Sequence, residues 1–422
     1  MGRGRVLVAV VVLATVSAGC SDEGPSSTGT TSPTATSTSR DPTTSAAPAT
    51  ESVAEASVVA ARRADLATVT ELFETRHVAP LDLGPELPDD AELAAMDEPA
   101  FLATVMDATA GRARDGHSGV FPLAQPDMQL WPLQLYPFAD GWRVVAALPG
   151  HDDLVGREVT AIGGREPDAT ADLVAPLVPR DNDASLRGRL PQYLVVPEVL
   201  AGVGLAPTLE LDGQDVALDP VPARDYATHF DLFDPLVCPG LPSEVPTWDV
   251  RTVDDAVVVR WGRVVFRLDG RSHREFVDEV ATTIESADPA RVVLDLRDNP
   301  GGELPANAPL VDLLQDVTAD DPDALRILVG RCTFSAAALM AAELRTTTDA
   351  RLLGETMGGA PGLWADARLH RLPESGIQVH VATGAYGDMD RPAATVVDRE
   401  VPVRWDDHAA GRDPTLAAAL QP

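Results

Sequence analysis

Two stretches carry the residue types that acyl transfer needs. In the first, the apolar run Val292-Val293-Leu294-Asp295-Leu296-Arg297 reads as a buried strand. It empties into Asp298-Asn299-Pro300-Gly301-Gly302, a turn with little side chain to obstruct an approaching ligand. In the second, a strand at Ile327-Leu328-Val329 is followed by Thr333-Phe334-Ser335 and the run Ala336-Ala337-Ala338-Leu339-Met340-Ala341-Ala342, which is strongly helix-forming. Strand, short turn and helix put Ser335 at a helix N-terminus, where backbone N–H groups point outward and the helix dipole favours negative charge. A carbonyl attacked by the Ser335 hydroxyl would meet the Ala336 N–H, and a second donor can come from Gly301 or Gly302. That is a nucleophile with an oxyanion hole in outline. The bland counterpart is a serine that caps a helix and an ordinary Asn-Pro-Gly-Gly turn.

The elements around these turns alternate. Val257-Val258-Val259 reads as a strand, and Phe276, Val280 and Ile284 mark one helix face at i, i+4 and i+8. Helical patterning continues through Leu310-Val311 and Leu313-Leu314 to the Ile327 strand. The fold class is therefore α/β, with a layered core. Beyond it, Ala367 to Leu372 and Ile377 to Val381 form a hairpin turned at Pro373-Glu374-Ser375-Gly376, and a last helix runs from about Pro414 to Leu420.

Three ordered motifs resemble a family of serine peptidases. Its members include the tail-specific (carboxyl-terminal processing) proteases, the tricorn core protease and the repeats of interphotoreceptor retinoid-binding protein. The family's D-L-R-x-N-x-G-G turn matches Asp295 to Gly302, its T-x-S-A-A helix start matches Thr333 to Ala337, and its G-E-x-x-G-G matches Gly354-Glu355-Thr356-Met357-Gly358-Gly359. The resemblance covers roughly Tyr226 to the C-terminus. It implies a crotonase-like or ClpP-like catalytic core, with Ser335 as nucleophile and Ala336, Gly301 and Gly302 as the oxyanion hole.

It also implies a base. Tail-specific proteases activate serine with a lysine shortly after the G-E-x-x motif, and the equivalent position here is Ala360. The chain contains no lysine at all, and arginine does not deprotonate in proteins. A Ser–Lys dyad is impossible, so histidine must be the base. The tricorn and retinoid-binding branch has a D-x-H-T segment that matches Asp115-Gly116-His117-Ser118 and maps the base to His117. Gly116 stands where tricorn has a serine. The same resemblance places an acidic third member just before Val397-Asp398; Asp390 is the expected residue, with Asp388 beside it. A histidine base predicts hydrolysis that rises through a pKa of about 6 to 7.5. His370 and His380 on the late hairpin are the next candidates.

Other chemistries are excluded. Gly116-His117-Ser118-Gly119-Val120 nearly spells a G-x-S-x-G elbow, but Val120 replaces the last glycine and the segment leads from helix to strand. No H-E-x-x-H or similar spacing suggests a metal, and no cofactor is implied. A net charge of −32 argues against nucleic acid as a partner.

The N-terminus has Arg3 and Arg5, an apolar run from Val6 to Val16, and Ser17-Ala18-Gly19-Cys20. Such a run is a secretory signal, too short to span a membrane. The small residues before Cys20 resemble a bacterial lipobox, with Ser17 where Leu or Val is usual. Residues 1–19 are thus read as a lipoprotein signal, and 20–50 as a lipidated cysteine with a disordered Ser/Thr/Pro tether. This predicts anchoring at the extracytoplasmic face of a bacterial membrane. Residues 51–130 form a helical region with His117. One helix has apolar positions from Val58 to Phe73, and a second is capped by Asp97 and ends near Arg114. Residues 131–225 hold a strand at Trp142–Ala147 and a second ending at Ile162-Gly163-Gly164. They resemble the carboxylate-binding half of a PDZ domain or form a structural β-insert. Residues 226–422 are the catalytic core. Cys238 and Cys332 either form a disulfide or remain buried thiols. The expected partner is a peptide or protein substrate, and the sequence leaves the oligomeric state open. The competing functions are a non-catalytic binding protein on the same fold and a PDZ-like scaffold for peptide tails.

Overall fold

The computed structural model describes residues 48–79, 87–110, 115–228, 246–319, 321 and 324–421. Cys20, the signal and the tether, Arg114 and Cys238 lie outside the described residues. Cys332 is disulfide-bonded.

Alternating apolar runs in the C-terminal half build one six-stranded sheet. Its strands are β1 (Trp248–Val253), β2 (Ala256–Trp261), β3 (Arg291–Asp295), β4 (Leu325–Val329), β5 (Arg351–Gly354) and β6 (Arg399–Glu400). They lie side by side in sequence order, with β2 to β6 parallel and β1 antiparallel to β2. Leu294 pairs with Val259 on one side and Ile327 on the other. Because strand side chains alternate between faces, Val257, Val259, Val292, Leu294, Ile327 and Leu352 share one face. Their neighbours Val258, Val293, Leu328 and Leu353 share the other.

Three crossover helices cover the first face: α1 (His273–Ala287), α2 (Ala308–Val317) and α3 (Ala336–Thr348). Each parallel step moves one strand in the same direction, so right-handed crossovers deliver all three helices to one side. Phe276 and Val280 of α1, Leu310 and Leu314 of α2, and Ala337, Ala341 and Leu344 of α3 are fully buried there. The opposite face is covered by Ala418 and Ala419 of the short terminal helix α4 (Pro414–Leu420). The α/β class and the positions of these C-terminal strands and helices read from sequence hold.

A separate core joins the N-terminal helices Pro48–Thr75 and Glu98–Ala110 to the middle segment. Asp97 accepts a bond from the Ala100 N–H at 2.9 Å, as an N-cap does. The late hairpin, Arg368–Arg371 with Gln378–Val381, inserts Leu372, Val379 and Val381 into this core. One expectation is corrected: the middle segment is not β-rich throughout. Val159–Ile162 pairs with Leu209–Leu211, which pairs with Gln214–Val216. The stretch between these strands is helical, at Pro167–Val174, Asp183–Leu194 and Pro197–Gly202. Asn182 starts the second of these with a capping box that closes on Ser185.

Candidate active site

Ser335 leaves β4 by a tight turn and opens α3 with φ +51° and ψ −126°, a region that non-glycine residues rarely occupy and that costs about 1–3 kcal/mol. The surroundings fix it. Thr333 Oγ1 donates to the Leu296 carbonyl at 2.7 Å, the Phe334 N–H donates to the Asn299 carbonyl at 3.0 Å, and the Gly359 N–H donates to the Thr333 carbonyl at 2.9 Å. Ser335 makes no capping bond to its own helix. Its Oγ instead lies 3.1 Å from His117 Nε2. The hydroxyl is thus turned toward an imidazole and away from the helix end it would otherwise cap.

The Asn-Pro-Gly-Gly turn abuts the serine. A Cβ on Gly301 would lie 2.7 Å from Ser335 Cβ and 2.9 Å from the Ala336 nitrogen, so only glycine permits the approach. Buried Asn299 shapes the turn, accepting the Gly301 N–H on its Oδ1 at 2.8 Å and donating to the Trp261 carbonyl. This corrects one expected donor, because the Gly301 N–H is already used. Among the described residues, the N–H groups of Gly302 and Ala336 have no acceptor. They are the pair that remains for an oxyanion.

His117 stacks on Phe334 with ring centroids 4.8 Å apart. The residue keeps partial exposure, but its Nδ1 is fully buried with no hydrogen-bond partner. Burial, reinforced by the Arg189 guanidinium, lowers the His117 pKa to about 4. The imidazole is therefore neutral at pH 7 and able to accept the serine proton. The titration expected from an ordinary histidine, near 6 to 7.5, is displaced downward by that environment.

Among the described residues, no carboxylate hydrogen-bonds the His117 imidazole to complete a relay. Asp390 is exposed, and its own N–H donates to Asp388 Oδ1 at 3.1 Å; neither residue is among the charges felt at His117. The expectation for Asp390 fails because one Asp among many cannot be placed by spacing alone. The charges that do favour protonated His117 are Asp115 and Asp366, with a smaller contribution from the Trp364 carbonyl. Asp115 is committed elsewhere, to His77 Nε2 at 3.0 Å and the Ser118 N–H at 2.9 Å. Asp366 is exposed and holds the Tyr386 hydroxyl. His370 and His380 lie on the late hairpin, which staples the base loop instead. Gly119 and His380 exchange both backbone bonds at 2.9 Å, and Ser118 Oγ accepts the Ala382 N–H at 2.9 Å.

The remaining motif residues are scaffolding. Asp295 is buried and pairs with Arg297, which also grips Asp413 at the N-terminus of α4 with contacts of 2.7 and 2.8 Å. Burial pushes the Asp295 carboxyl up, but the Arg297 guanidinium outweighs it and holds the group below its usual range. Glu355 pairs with Arg331 at 2.7 Å, and a Cβ on Gly358 would collide with the Arg331 carbonyl at 2.0 Å. Among the described residues, no cluster of ligands could hold a metal ion.

No protein-family profile matches the sequence, and no curated protein does. Solved structures do match. A serine-to-alanine mutant of CPAF superposes with a TM-score of 0.58 at 15% identity, covering 84% of this chain and 95% of that one. Mature CPAF complexed with lactacystin gives 0.58 at 14% identity, covering 86% and 97%. The photosystem II D1 C-terminal processing protease covers 82% and 92% at 13% identity, but its TM-score of 0.35 is too low to carry weight. At such identities the likeness speaks for architecture alone: over most of both lengths, this chain has the fold of CPAF.

Proposed function

We propose that the chain is a serine-type hydrolase that cleaves peptide bonds through an acyl-enzyme on Ser335. The observation that carries this is the 3.1 Å contact between a neutral histidine and a serine held in a strained, uncapped backbone. The Ser335 oxygen attacks the substrate carbonyl carbon while its proton passes to His117 Nε2. The oxyanion is received by the Ala336 and Gly302 N–H groups. Collapse breaks the C–N bond, and the imidazolium gives its proton to the departing amine. Water then repeats the sequence and releases the acid. The finer parts of the reading are a crotonase-like or ClpP-like core and a PDZ-like middle segment. They are supported by the sequence motifs and by the antiparallel strands Val159–Ile162 and Leu209–Leu211.

The experiment is covalent labelling. A fluorophosphonate probe is expected to label the wild type at Ser335 and to leave Ser335→Ala unlabelled; lactacystin, bound in a CPAF structure, is a second probe. Folded wild type that ignores both probes and every peptide pool tried would make the chain a binding protein on this fold. The partnerless Nδ1 of His117 is the feature that favours that second reading.

We also propose that the chain is lipid-anchored at Cys20 and faces the extracytoplasmic side of a bacterial membrane. The support is the sequence Ser17-Ala18-Gly19-Cys20 after a short apolar run, with a lipoprotein's several acyl chains supplying stable attachment. No helix of the described residues is long and apolar enough to cross a membrane. Cys20→Ala should move the protein from membranes to the soluble extracytoplasmic fraction, and unchanged attachment would count against the lipobox.

A further inference from the structure

Two buried charged side chains of the middle segment grip the residue just before the base. Gly116 donates its N–H to Asp181 Oδ1 at 2.8 Å, and its carbonyl accepts from Arg189 Nη1. The other Asp181 oxygen accepts the N–H of Ala360 at 3.1 Å. Ala360 directly follows Gly359, where a Cβ would lie 3.0 Å from the Ser335 nitrogen. One carboxylate thus ties the base loop to the loop packed behind the nucleophile. Arg189 also places its guanidinium carbon 4.4 Å from the centroid of Phe334, the ring on which His117 stacks. Gly116 is glycine for a local reason: a Cβ there would meet Asp181 Oδ1 at 2.7 Å and Phe334 Cζ at 2.8 Å.

We propose that Asp181, in its ionised form and together with Arg189, is a positioning residue that holds His117 Nε2 on the Ser335 hydroxyl, in place of a carboxylate on the imidazole itself. This rests on the serine hydrolase reading above. An ionised carboxylate accepts on both oxygens, whereas a protonated one turns one oxygen into a donor. Protonation therefore weakens the bond to either Gly116 or Ala360, because the oxygen that carries the proton is the poorer acceptor. The groups facing Asp181 are these two N–H groups, the Arg189 guanidinium and the Asp115 carboxylate. Burial outweighs the favourable contacts and raises its pKa to about 6, two units above the titration of His117. The base loop should then slacken on acidification before the base itself gains a proton.

The test is the pH dependence of fluorophosphonate inactivation. In the wild type the inactivation rate constant should fall below a limb near 6. Asp181→Asn, which presents one acceptor and one donor like the protonated acid, should be slow already at pH 7, by at least about tenfold and up to about 10². The probe's half-saturation concentration should be unchanged, and only the limb near 4 should remain. Arg189→Lys should lower the rate constant in the same way. A wild-type rate that stays flat from pH 7 to 5 overturns the proposal without any variant, and so does a limb near 6 that persists in folded Asp181→Asn. A wild type that never reacts removes the hydrolase reading, and the positioning role with it. A reactive wild type indifferent to Asp181 removes the positioning role alone.

Discussion

Ser335→Ala and His117→Ala are each expected to lower kcat by on the order of 10⁴ to 10⁶, and the double variant by little more than either. On the mechanism proposed above, one proton passes between the two side chains across 3.1 Å, so removing either leaves the other with nothing to do. Hydrolysis of a peptide or activated ester by the three variants and the wild type closes the cycle. Losses that add would assign the residues to separate steps, and full activity in His117→Ala would move the base elsewhere. The backbone at Ser335 supplies a second readout. Alanine keeps the φ of +51° as unfavourable as serine does, whereas glycine tolerates it. Ser335→Gly should therefore be as inactive as Ser335→Ala but more stable, by about 1 kcal/mol or more.

Arg297→Met is expected to cost about 3–5 kcal/mol of stability, the range for stripping a buried ion of its partner. The variant leaves Asp295, buried at 2% exposure, with only Arg260 as a nearby cation, and it releases Asp413 at the start of α4. The sign of the pH dependence separates this from simple loss of packing. In the wild type the folded Asp295 pKa is depressed, so the unfolded chain takes up a proton first. The stabilisation is complete above the usual carboxylate range and is lost as pH falls through the depressed value. In the variant, burial without that cation pushes the carboxyl upward instead, so acidification relieves the cost. Denaturant unfolding at pH 7 and pH 5 should show the gap between wild type and variant narrowing at the lower pH. A gap below about 1 kcal/mol, or one independent of pH, would contradict the ion-pair account.

The core was legible because its elements are written locally. Val292 to Leu294 and Ile327 to Val329 are continuous apolar runs, as strands buried on both faces must be. The Ala336–Ala342 run and the Gly301–Gly302 pair mark the helix and the turn. Pro414 and Leu420 bound the last helix as the pattern implied. His117 was reachable only through resemblance, since a loop histidine carries no local signal of its partner. Asp181 and Arg189 were not legible at all. Their role consists of bonds to Gly116 and Ala360, which are distant in sequence, and nothing in composition distinguishes one carboxylate among 65 acidic residues. The same abundance misdirected the choice of Asp390. The backbone N–H groups left without an acceptor beside Ser335 were largely legible: the pattern named Ala336 with Gly301 or Gly302, but only the Asn299 side chain decides which glycine N–H is left over.

The distance in sequence between His117 and Ser335 has a consequence for when the pair can form during synthesis. His117 and Ser335 are 218 positions apart, and the base loop is further held by the Ala382 N–H, 264 positions from its Ser118 partner. Closing loops of that size is entropically costly and slow, so such contacts form late. A ribosome that has just finished the serine helix has made a chain without the hairpin that braces the histidine. Growing chains and fragments cut before Gln378–Val381 lack that brace, and on the hydrolase reading they are expected not to react with a fluorophosphonate probe.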